Sequence, residues 1–106
     1  MNPSSSLQAE FSLLIAKLIL HANDLGYQIT FGDAFRDKRV TYGHPNSTHR
    51  KRLAIDLNLF RDGEYLDKTD DHRVLGEWWE KQHPLARWGG RFSDGNHYSF
   101  EWEGVR

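Results

Sequence analysis

A chain of 106 residues with net charge −1, from 14 Lys and Arg against 15 Asp and Glu, is sized for one domain with a modest core and excludes a broad nucleic-acid footprint. The absence of cysteine excludes disulfides and thiolate metal sites, so histidine and carboxylate remain as the strong ligands. An apolar content of 38% with 13% aromatics excludes an intrinsically disordered chain.

Residues 5–25 read as an amphipathic helix, because Phe11, Leu14, Ile15, Leu18, Ile19, Ala22 and Leu25 recur at helical spacing. Ser5 with Gln8 resembles a capping box, and Gly26 is a natural stop. The apolar run from Phe11 to Ala16 follows Glu10, is interrupted by Lys17 and is too short to span a bilayer. No stable membrane insertion is expected, and the chain reads as cytoplasmic at synthesis. Residues 27–31 alternate as a strand. Residues 32–47 read as a polar loop that carries Arg36, whose ordinary reading is a surface arginine paired with Asp33 or Asp37.

Residues 53–60 alternate, with Leu53, Ile55, Leu57 and Leu59 on one face and Ala54, Asp56, Asn58 and Phe60 on the other. This is the expected central strand. Arg61-Asp62-Gly63 makes a tight turn into a short partner strand at 64–66. A second helix is expected over 69–82, with Val74, Leu75, Trp78 and Trp79 on its apolar stripe and Pro84 beyond its end. Arg87-Trp88 reads as a short strand entering the Gly89-Gly90 turn, and 98–102 as the last strand. The expectation is one α+β domain over 1–106, a small antiparallel sheet flanked by two or three helices.

Two segments carry candidate chemistry. Ser47-x-His49-x6-Asp56 brings a histidine and a carboxylate to the start of the central strand, and Asp94-x-x-His97 does the same for the last one. Singly, each has an ordinary reading: Asp56 lies on the polar face of an alternating strand, and His49 is one of six histidines. Jointly, they supply three N and O ligands with an open fourth position, the pattern of a catalytic Zn²⁺ site, and a spare carboxylate beside it. Neighbouring strands lie about 5 Å apart, so side chains on one face can converge on an ion. His21 is expected to be structural or exposed, His72 and His83 are expected to be solvated, and His44 is a candidate for lining the cleft. Trp78, Trp79, Trp88 and Trp102 are assigned to packing by default. Arg50-Lys51-Arg52 reads as a solvated charge run, with attraction of an anionic polymer as the alternative.

The paired motifs, with Asn46 to Phe60 and Arg87 to His97 around them, resemble the VanY-like zinc D-Ala-D-Ala carboxypeptidases and the phage L-alanyl-D-glutamate endolysins. That group also contains lysostaphin and the hedgehog signalling domain. The resemblance runs from about Ile29 to Trp102 and implies a hedgehog-like fold. It implies that His49, Asp56 and His97 bind Zn²⁺ and that Asp94 is the general base. It implies that Arg36 supports the developing oxyanion or holds a substrate carboxylate, and that Ser47 orients the site. The chain departs from the common pattern at Arg52, where many relatives have glycine, in a short 40–46 segment, and in the residues that follow His97.

The resemblance implies a peptidoglycan peptidase of phage or prophage type. It would hydrolyse an amide bond of the cell-wall stem peptide, either L-Ala–D-Glu or terminal D-Ala, as a monomer with no nucleic-acid partner. Access to the wall would require a membrane lesion. Two other readings stand beside it: a non-catalytic binding module that kept the fold and the metal, and a metal-dependent nuclease, which the near-neutral charge disfavours.

Overall fold

The computed structural model describes residues 2–37 and 39–106. The first helix, α1, spans Ser5–Asp24. Its N-cap is Ser4, whose hydroxyl accepts the Leu7 N–H at 3.1 Å, so the capping residue lies one position before the Ser5 expected from sequence. Gln8 does not close a capping box. Its side-chain amide donates to the Lys51 carbonyl at 2.9 Å and ties the helix to the segment that carries His49. The helix ends in a Schellman motif: Gly26 N–H bonds Asn23, Tyr27 N–H bonds Ala22, and Gly26 takes φ 91°.

The strands are β1 (Gln28–Phe31), β2 (Ala54–Arg61), β3 (Glu64–Leu66), β4 (Ala86–Trp88) and β5 (His97–Phe100). They form one antiparallel sheet in the order β1-β2-β5-β4, with β3 also paired to β2. The segment expected as the central strand is central, and its Asp62-Gly63 turn has both residues at positive φ, as a two-residue hairpin requires. Leu53, Leu57 and Leu59 from this segment meet Tyr98 and Phe100 of β5 in the core. Phe11, Ile15, Leu18 and Ala22 of α1 close that core from the helix side.

The second helical segment is divided. A 3₁₀ turn over Thr69–His72 leads into α2, Arg73–Glu80. Leu75, Gly76 and Trp79 are buried, whereas Val74, expected on the apolar stripe, lies about 100° or more around the helix from each of them and is 57% exposed. His72, expected to be solvated, is buried and hydrogen-bonded to the Tyr98 hydroxyl at 2.8 Å. His83, expected likewise, stacks on Phe100 and lies 3.0 Å from the Glu10 carboxylate. Both are drawn inward by partners remote in sequence. His21 stacks on Trp78.

Trp79 and Trp88 are fully buried. The Trp88 indole N–H donates to the Gly95 carbonyl at 2.7 Å, which anchors the loop between Asp94 and His97. The last strand ends at Phe100. Glu103 and Gly104, both at positive φ, then turn the chain so that Trp102 bridges Val105. Among the described residues no helix is long and apolar enough to cross a membrane.

Candidate metal centre

The centre lies where β2 and β5 run side by side. Asp56 and His97 are register partners, so their side chains project from the same face of neighbouring strands. His49 comes from a separate element, the 3₁₀ turn Thr48–Lys51. Ser47 caps that turn by accepting the His49 N–H at 3.2 Å, and the His49 carbonyl accepts the Arg36 N–H at 3.0 Å. The chain after β1 is laced to Asp56 by two backbone bonds, Gly32 N–H to its carbonyl and Asp56 N–H to the Asp33 carbonyl. Four segments are thereby held around one point.

Three ligand atoms meet there. His49 Nε2 is 3.2 Å from Asp56 Oδ1, His97 Nδ1 is 3.4 Å from the same oxygen, and the two ring nitrogens are 3.2 Å apart. Tetrahedral bonds of 2.0–2.1 Å place ligand atoms roughly 3.3 Å from one another, so the triangle has the dimensions of a zinc face. The chemistry of the set agrees. His49 Nδ1 is 2.8 Å from the Ala34 carbonyl, an acceptor that requires the proton on Nδ1 and leaves a lone pair on Nε2. A lone pair, a carboxylate oxygen and a third nitrogen then converge, with at most one proton among them in neutral imidazoles. A cation satisfies all three. His49 and His97 are buried, and Asp56 keeps 21% of its side chain exposed, so the group opens on one side. Among the described residues these three form a group able to hold a metal ion.

The electrostatics follow from that packing. Burial alone would raise the Asp56 carboxyl, but the hydrogen bonds and charge of His49 and His97 hold it at about 2. Burial would lower His49, yet the Asp56 carboxylate and the Ala34 carbonyl prevail and its pKa is raised. Asp94 Oδ2 lies 4.0 Å from His97 Nδ1 at the open side. Its carboxyl is pushed above the ordinary value by partial desolvation, with the Asp56 charge adding to the shift. Its side chain is half exposed.

Arg36 is 9% exposed and faces Asp33, with Nη2 to Oδ2 at 3.6 Å. It also lies over the Tyr42 ring, whose hydroxyl donates to the same Asp33 carboxylate at 2.8 Å. Its positive charge reaches both His49 and Asp94. Sequence reading offered Asp33 as one of two carboxylate partners for Arg36 but missed Tyr42, which folding brings to the same carboxylate. It also missed Ala34, which acts through its backbone, and Phe92, whose ring stands edge-on to His97. Gly89 is the one missed residue with a visible signal, the Gly-Gly pair. A Cβ there would collide with the Asp94 carbonyl and the His97 Cβ. His44, a candidate for lining the cleft, is exposed and its Nδ1 accepts the Asn46 N–H.

The arrangement brings His49, Asp56 and His97 together, with Asp94 at their edge and Ser47 beneath His49. Such a set can hold a divalent ion beside a carboxylate of raised pKa and a buried arginine. No protein-family model matches the chain, and a comparison with curated proteins finds no match either.

Proposed function

We propose that the protein is a zinc-dependent peptidase acting on the stem peptide of peptidoglycan, of the kind its paired motifs resemble. The observation that supports the metal is the triangle of ligand atoms with sides of 3.2–3.4 Å. The choice of a peptide substrate rests on the resemblance of the Ser47-to-Asp56 and Asp94-to-His97 motifs. His49, Asp56 and His97 would hold Zn²⁺, which when bound supplies a Lewis acid for the scissile carbonyl and acidity for the attacking water.

The chain's own groups supply the rest. Asp94, with its raised pKa and its place at the open edge, takes the proton of the attacking water and returns it to the leaving amine. Arg36 provides positive charge where the carbonyl oxygen becomes negative, and Asp33 and Tyr42 hold it in place. Ser47 and the Ala34 carbonyl fix the His49 backbone and ring.

The test measures bound metal and then the new amino termini released from purified peptidoglycan. His49→Ala is expected to lose both metal and cleavage. Asp94→Asn is expected to keep the metal and to lose at least about a hundredfold in cleavage rate. Cleavage unchanged in either variant would overturn the assignment. Bound zinc with no cleavage of any wall type would favour a binding module instead.

A further inference from the structure

A second site lies outside the metal centre. Phe35, Asp37, Arg39 and Pro45, the turn Thr48–Lys51, and Asn2 and Pro3 border a cleft of about 520 Å³. Neither the three candidate ligands nor Asp94 and Arg36 line it. Among the described residues its walls carry Arg39, Arg50, Lys51 and Arg52 against a single carboxylate, Asp37, in a protein whose net charge is −1. Arg39 grips that carboxylate with two hydrogen bonds of 3.0 and 3.1 Å. Lys51 is held by the Asn2 side chain at 3.1 Å, and the Arg52 guanidinium lies 3.9 Å from the centroid of the Phe35 ring. The cleft is therefore a concentrated positive field with ordered donors.

Guanidinium forks match the paired oxygens of phosphate, and three consecutive cations suit a ligand with repeating anions. Single-stranded nucleic acid would in addition need open aromatic faces for its bases. Among the described residues the cleft has one aromatic side chain, Phe35, and Arg52 lies over its face. We propose that this cleft binds a base-free polymer of repeating phosphates through Arg50, Lys51 and Arg52. Phe35 and Arg50 are chain neighbours of Arg36 and His49, so the polymer would be seated against the same two segments that build the metal centre. The proposal does not depend on the peptidase assignment.

The test titrates the full chain at low salt with linear inorganic polyphosphate and follows backbone amide shifts by NMR. Polyglutamate and oligothymidylate serve as parallel probes. Polyphosphate is expected to bind with shifts concentrated in residues 35–52, and to weaken about tenfold or more as salt rises to roughly 0.2 M. The double variant Lys51→Gln/Arg52→Gly is expected to lose about tenfold or more in affinity. Arg39→Glu, at a side chain 85% exposed and so of little consequence for folding, is expected to weaken binding as well. Asp94→Asn is expected to bind polyphosphate like the wild type, which separates this site from the metal centre. Absence of polyphosphate binding, or equal affinity in the double variant, overturns the proposal. Tighter binding of oligothymidylate assigns the cleft to nucleic acid, and equal binding of polyglutamate removes the preference for phosphate; each outcome overturns it too.

Discussion

Arg52 sits at φ 58°, in the left-handed region that favours glycine. The departure from the glycine pattern thus keeps the backbone turn and adds a cation over Phe35. Relief of left-handed strain in Arg52→Gly, about 1 kcal/mol, is opposed by loss of a cation–π contact of about 0.5–1 kcal/mol, so stability should change little. Arg52→Val, β-branched in the same conformation, should cost about 1–2 kcal/mol more, measured as a shift in urea midpoint. His72 gives a second prediction at this scale. Burial lowers its pKa from 6.5 to about 4, only partly opposed by Asp71. Between those values the unfolded chain binds the proton first, so stability falls as pH falls through that window. A shift of this size corresponds to roughly 3 kcal/mol, absent at pH 7 and fully expressed below about pH 4. Comparing urea melts of wild type and His72→Gln from neutral to acid pH isolates it; parallel slopes would refute it.

At the scale of elements, the start of α1 and the Gly89–Phe92 turn make the sharpest predictions. Ser4→Ala should destabilise by about 1 kcal/mol through loss of the cap on Leu7, whereas Ser5→Ala, in the first helical position, should be nearly neutral. Equal effects would place the cap elsewhere. Gly89 lies where the 3₁₀ turn Gly89–Phe92 presses on the loop bearing Asp94 and His97. Since the colliding atoms are a backbone carbonyl and a Cβ, neither of which moves when a side chain rotates, Gly89→Ala cannot be absorbed that way. A cost of about 3 kcal/mol is expected, together with weaker zinc binding, read by thermal melt and metal titration. The neighbouring Trp88 acts through the same loop, because its indole is held between close glycine backbones and bonds Gly95.

For the molecule as a whole, the candidate ligands come from β2, β5 and a turn that meets them only on folding, so an ion would bind the folded chain and not the unfolded one. Zinc at a thousandfold excess over its dissociation constant should add about 4 kcal/mol, which for a domain of this size raises Tm by roughly 15 °C or more. A chelator should reverse the gain, and His97→Ala should abolish it. Zinc-independent melting would exclude the triad as a metal site.

The sequence by itself determined the elements whose signals are local. The spacing of Phe11, Ile15, Leu18 and Ala22 with Gly26 behind them defines α1, the alternation from Leu53 to Leu59 defines the central strand, and Asp62-Gly63 defines its hairpin. It also singled out His49, Asp56, His97 and Asp94, because two motifs that are each ordinary alone occur together at strand starts. What only the tertiary structure decided depends on partners far apart in the chain. His72 and His83 look solvent-facing until Tyr98, Phe100 and Glu10 arrive beside them. Val74 stays outside the core because α2 packs on the face of Leu75, Gly76 and Trp79, about 100° or more around the helix from it. The tautomer of His49, the burial of Arg36 against Asp33, and the triangle of ligand atoms all rest on cross-strand register and loop closure. Residue spacing can nominate ligands, but only packing brings three lone pairs within bonding reach of one ion.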